Sequence, residues 1–197
     1  EGSLVVPEGA EGIVLFAHGS GSSRHSPRNR YVAKVLQDAN LATLLIDLLA
    51  RKEAANEIQF RFDIPLLSNR LVGITNWLIQ APETKHLKIG YFGASTGAGA
   101  ALVAATKRPD VVQAIVSRGG RPDLAGKVLP LVRASTLLIV GGHDYPVIAM
   151  NREALGQISS EKRLEIIPGA THLFQEPGAL EEVAQLASEW FKQYLVP

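Results

Sequence analysis

The sequence contains no cysteine, which excludes disulfides, thiolate metal sites and a cysteine nucleophile together. It also lacks an excess of charge of one sign: 20 Lys and Arg stand against 19 Asp and Glu, for a formal net charge of +1. A polyanion therefore meets no global field, and nucleic acid is not an expected partner. Charged residues interrupt each hydrophobic stretch well short of the roughly 18 to 20 apolar residues that span a bilayer, so no membrane partner is expected either. Aromatics make up 6% of the chain, few for a protein that works at a lipid surface. The five histidines show neither i, i+4 spacing nor carboxylate pairing, so the residues call for no metal and no cofactor.

What is present suits one globular domain over residues 1–197, with 46% hydrophobic residues to fill a core. The chain opens at Glu1 rather than Met; a removed signal peptide would leave the compartment open, and with no signal or span in view the cytoplasm is favoured. The residues do not indicate an oligomeric state. Short β-branched and aliphatic runs alternate with longer stretches of helical spacing, the pattern of βαβ units. Strands are expected at Ile13–Ala17, Ala42–Ile46, Lys88–Phe92, Val112–Val116, Thr136–Val140 and Arg163–Ile167, with an antiparallel edge at Leu4–Pro7. Helices are expected at Asn29–Ala39, Ile64–Gln80, Thr96–Arg108, Pro146–Ile158 and Gly178–Leu195. Asp63 would cap the second helix, and Pro109 would stop the third. The fold class is α/β, a mostly parallel sheet with helices on both faces. In such sheets ligands sit beyond the carboxyl ends of the strands.

Those strand ends carry chemistry. The strand at Lys88 runs through Gly93-Ala94-Ser95-Thr96-Gly97 into an Ala/Gly-rich helix, which places G-x-S-x-G in the strand–turn–helix context a nucleophile elbow requires. A Cβ two residues before or after the serine would collide with a neighbouring strand or helix, hence the glycines. Asp144 follows the strand at Thr136, and His172 follows the strand at Arg163. A serine hydroxyl becomes nucleophilic when an imidazole takes its proton, and the imidazole needs a carboxylate to fix its tautomer. Serine, acid, histidine is the chain order of α/β-hydrolases. The loop His18-Gly19-Ser20-Gly21 ends the first long strand and supplies a backbone N–H to a developing oxyanion, Ser20 being favoured and Gly21 next. The second donor is the N–H of Thr96.

Together "LFAHGSGSS", "GYFGASTGAGAAL", "LLIVGGHDYPV" and "IPGATHLFQEPGALEEVA" resemble the dienelactone hydrolase-like branch of the α/β-hydrolase superfamily over nearly the whole chain. The resemblance implies a Ser95, Asp144, His172 triad and hydrolysis of an ester or similar acyl bond. Two features depart from it: dienelactone hydrolases proper use a cysteine where this chain has Ser95, and the loop from His18 to Ser23 has no acidic residue. The resemblance thus implies fold and triad rather than lactone specificity.

Other residues compete for these roles. Asp47 and Asp123 are rival acids, but Asp47 precedes Ser95; His143 adjoins Asp144 and is poorly placed to orient against it. His18 is expected to shape the oxyanion loop, and His25 and His86 to lie on the surface. The segment Ser22–Arg30 holds Arg24, Arg28 and Arg30 without an acid, and Arg118 and Arg121 follow the strand after the nucleophile. Arg24, Arg118 and Gly21 are candidate substrate-binding residues; the arginines would hold a carboxylate or phosphate, or else belong to a solvated face with local ion pairs. Residues 48–62 form a long excursion that borders the pocket, whereas Ser117–Ser135 is too short to hold a bulky cap. The expected activity is that of a lidless serine hydrolase cleaving small, soluble carboxylic esters through an acyl-enzyme. An acyltransferase or small peptidase would use the same triad, and a non-catalytic binding protein would keep the fold alone.

Overall fold

The expected apolar runs become parallel strands because both faces of the sheet are covered, which favours continuous burial over alternation. The computed structural model describes residues 1–55 and 57–196; Asn56, inside the expected excursion, and Pro197 lie outside them. Strands β1 (Gly2–Val5), β2 (Gly12–Ala17), β3 (Ala42–Ile46), β4 (Lys88–Ala94), β5 (Val112–Arg118), β6 (Ser135–Gly141) and β7 (Lys162–Ile167) form one sheet in the order β1-β3-β2-β4-β5-β6-β7. Every pairing is parallel except that of β1 with β3. The antiparallel edge lies at Gly2–Val5 rather than Leu4–Pro7, because Pro7 has no N–H to add to a ladder.

The helices are α1 (Pro27–Asp38), α2 (Arg51–Ala54), α3 (Glu57–Phe60), α4 (Ile64–Leu78), α5 (Thr96–Lys107), α6 (Tyr145–Gln157) and α7 (Ala179–Leu195). Helix α1 starts two residues before the expected Asn29: the Ser26 hydroxyl accepts from the Asn29 N–H at 3.3 Å, and Pro27 takes the first turn, where its missing N–H costs nothing. Asp63 caps α4 as expected, its carboxylate accepting from the Leu66 N–H at 2.9 Å. Side chains of β2 divide by alternation: Ile13, Leu15 and Ala17 join the core that holds α4 and α5, and Val14 and Phe16 join the one that holds α1 and α7.

Between β5 and β6 the chain forms only a 3-10 segment, Pro122–Leu131, packed on α5 and α6. The β3–α4 connection carries α2 and α3. Arg70 of α4 ties it down, donating to the Leu48 carbonyl at 2.6 Å and to both Glu53 carboxylate oxygens at 2.6 and 2.7 Å. Strand order reverses between β2 and β4, where a doubly wound sheet opens its crevice. No helix among the described residues is long and apolar enough to cross a membrane.

Candidate active site

At that switch point β4 turns sharply into α5. Ser95 occupies the apex with φ 51° and ψ −120°, a conformation costly for a residue with a side chain and characteristic of functional sites. The flanking glycines follow from contact. A Cβ on Gly93 would lie 2.4 Å from Ala98 Cα, and one on Gly97 would lie 2.3 Å from the Ala17 carbonyl oxygen. Backbone bonds hold the turn: the Ser95 N–H donates to the Arg118 carbonyl at 3.2 Å, and the Ser95 carbonyl accepts from Arg121 and Ala98 at 3.1 Å each. Thr96 is buried at the first position of α5.

Asp144 precedes α6 without using its side chain as a cap. Its Oδ2 instead meets His172 Nδ1 at 2.6 Å. The carboxylate is mostly shielded and the imidazole open, at 12% and 40% side-chain exposure. An imidazole that donates through Nδ1 keeps its lone pair on Nε2, the arrangement a general base needs. Gly119 connects this pair to the elbow: a Cβ there would lie 3.4 Å from the His172 ring, and Gly119 directly follows Arg118, whose carbonyl holds Ser95. The rival groups are engaged elsewhere. Asp47 pairs with Arg24, Asp123 pairs with Arg121 at the surface, and His143 is exposed.

The loop after β2 lies against the elbow, since a Cβ on Gly19 would lie 3.2 Å from Ser95 Cβ. His18 fixes its path. The Leu48 N–H can only donate, so His18 Nε2 accepts it at 3.0 Å, and the ring proton therefore sits on Nδ1 and goes to the Gly19 carbonyl at 2.9 Å. Ser20 and Gly21 are exposed along this loop, and Gly21 adopts φ 72°. Ser20 and Thr96 share a shallow concavity of about 10 Å³ with Leu48, Leu67 and Arg61. Arg61 escaped the sequence reading, and only its position at the end of the excursion pointed to it. A larger cavity of about 660 Å³ adjoins Gly21, Asp47, Leu49 and Ala54.

The arginines differ from expectation. Arg24 is not an open fork: its backbone N–H donates to Asp47 Oδ1 at 2.9 Å, its guanidinium pairs with Asp47 Oδ2, and Glu1 adds a contact at 2.7 Å. Acids from distant parts of the chain fill the acid-free stretch. Arg118 is 8% exposed, and its Nε and Nη1 have no hydrogen-bond partner among the described residues.

Comparison with known proteins gives the family and the fold. The dienelactone hydrolase family matches residues 1–195. A dienelactone hydrolase crystal structure from Anabaena variabilis superposes with a TM-score of 0.96 at 69% identity, over 98% of this chain and 91% of that one. Est1E from Butyrivibrio proteoclasticus, 15% identical with a TM-score of 0.80 over 98% of this chain and 93% of that one, shares the fold. A Mycobacterium tuberculosis protein bearing the provisional name phosphoribosyl transferase is 59% identical over 194 residues. This chain covers 44% of that protein's length, and the match takes in 98% of this chain. The elbow, the paired acid and histidine beyond the sheet and a family match over nearly the full length lead to one assignment: the chain has the α/β-hydrolase fold and belongs to the dienelactone hydrolase family.

Proposed function

We propose that the protein is a serine hydrolase that cleaves small carboxylic esters through an acyl-enzyme. The observation that carries the proposal is the 2.6 Å bond from His172 Nδ1 to Asp144, which fixes the tautomer that leaves the Nε2 lone pair available as a base for Ser95. Ser95 Oγ attacks the ester carbonyl carbon while His172 Nε2 takes its proton. The tetrahedral oxyanion is held by the backbone N–H groups of Ser20 and Thr96. The imidazolium then protonates the departing alcohol, and a water deprotonated by the same nitrogen releases the acid and restores the hydroxyl. Asp144 stabilises the imidazolium throughout. The connection after β5 is a short 3-10 segment packed on α5 and α6, too small to form a cap domain, which favours small substrates that need no cap to hold them.

Transfer of the acyl group to an alcohol or amine would use the same intermediate, and product analysis with either acceptor separates the two outcomes. The transferase name belongs to a protein more than twice as long as this chain, while a serine elbow and a His–Asp pair are the apparatus of acyl rather than glycosyl transfer. The test is peptide-mapping mass spectrometry after treatment with a fluorophosphonate. We expect a single adduct on Ser95, absent from Ser95→Ala and strongly reduced in His172→Ala. A folded wild type that takes no label, which a non-catalytic binding protein would give, refutes the proposal.

A further inference from the structure

Two guanidinium groups, those of Arg28 and Arg118, form no ion pair with a carboxylate among the described residues. Arg118 closes β5 on the face of Ala114 and Val116, the face covered by α1 and α7. It is buried, and its Nε and Nη1 have no hydrogen-bond partner among the described residues. Arg28, in the first turn of α1, has its own Nε buried without a partner. Both belong to the same side of the sheet, since Ala114 and Val116 of β5 share one core with Val32 and Leu36 of α1, and burial, with the charge of Arg28 after it, pushes the Arg118 pKa down to about 10. A buried cation without a counter-charge is costly, and a second cation beside it raises the cost. Arg28 also lines a cavity of about 420 Å³ formed by residues 20–23 and 25–28, with hydroxyls and no acid in its wall. Ser20, the candidate oxyanion donor, is part of that wall, so the cavity adjoins the catalytic rim. The N-terminus of α1 points its partial positive charge the same way.

We propose that Arg28 and Arg118 form a subsite for a phosphate dianion carried by the substrate, next to Ser95. Two guanidiniums carry a charge of +2, which a phosphate monoester balances; a carboxylate would leave one cation unmatched. Guanidinium forks also fit phosphate oxygens in pairs. The inference rests on the serine-hydrolase reading and narrows it to esters that bear a phosphate group.

The test separates the two ideas. Inorganic phosphate and, in parallel, acetate are titrated calorimetrically into wild type and Ser95→Ala at pH 8, where phosphate is mostly dianionic. Phosphate is expected to bind both proteins alike, with acetate about tenfold weaker or more. Arg28→Gln and Arg118→Gln should each weaken phosphate by about tenfold or more with the circular dichroism unchanged. If Arg118→Gln does not fold, the half-buried Arg28 decides the matter alone. Absence of phosphate binding, equal binding by the folded arginine variants, or a preference for acetate overturns the subsite. A protein that binds phosphate but takes no fluorophosphonate retains the anion site and loses the ester chemistry; one that is labelled but ignores phosphate does the reverse.

Discussion

The two flanks of Ser95 handle charge in opposite ways. On the β6–β7 flank the basic group has its acid: His172 meets Asp144 at 2.6 Å. On the β2–α1 flank the balance splits. Arg24 is matched by Asp47 from the end of β3, and burial alone would raise the Asp47 pKa, yet hydrogen bonds and charge from Arg24 hold it below the usual range. Arg118 sits deeper and has no carboxylate partner among the described residues. In sequence Arg24 and Arg118 look alike, each in a short stretch that follows a strand. The difference is long-range: Asp47 lies 23 residues from Arg24. A matched arginine stabilises the fold, whereas an unmatched buried one costs stability, and such a cost persists where a ligand offsets it.

The largest effect tests the matched flank. Asp144→Asn keeps the shape of the pair and removes the charge that stabilises the imidazolium, so kcat for a small ester should fall by about 10³ to 10⁴. A loss of less than about tenfold, measured against a thermal melt equal to wild type, would transfer the acid role to another residue. The unmatched flank should respond in stability, with the two arginines giving opposite signs. Arg118→Met removes an uncompensated buried cation while keeping the length of the side chain; in phosphate-free buffer it should stabilise the protein by about 1 kcal/mol, or roughly 2 to 4 °C in Tm. Arg24→Met leaves Asp47 without its partner and should lower Tm. A fall in both variants would erase the contrast. Adding phosphate should then raise the Tm of wild type more than that of Arg118→Met, whose affinity for it should be lower by about tenfold or more.

Much of the site was legible because the rules that place it are local. The elbow needs two glycines at fixed offsets, and β6 and β7 end where their apolar runs end, so Asp144 and His172 could be read from strand boundaries and chain order. The layers were legible for the same reason: runs such as Thr136–Val140 can only be central strands. Partnership was not legible. Nothing near Arg24 announces Asp47 or Glu1, and nothing near Arg118 announces that no acid will arrive, because both depend on which strands become neighbours. The β3–α4 connection was legible as an excursion along the pocket, but not which of its residues line it: Arg61 and Leu48 share the concavity with Thr96, while Glu53 turns to Arg70.

That excursion offers the smallest effect and a third kind of charge balance, matched but near water. Bonds from Arg70, and then from the Ala50 N–H, hold the Glu53 carboxyl at about 2, below its ordinary 4.5. A depressed folded-state pKa means that the ion pair stabilises the fold fully above about pH 4.5 and loses that contribution as pH falls toward 2. Both side chains are about a quarter exposed, so screening keeps the benefit small. Glu53→Gln, which cannot ionise, should therefore melt about 1 to 2 °C below wild type at pH 7, with the gap shrinking at pH 3. The absence of a gap at either pH would mean that Arg70 anchors the segment through the Leu48 carbonyl alone, and that the wall of the larger cavity is held by a neutral contact rather than an ion pair.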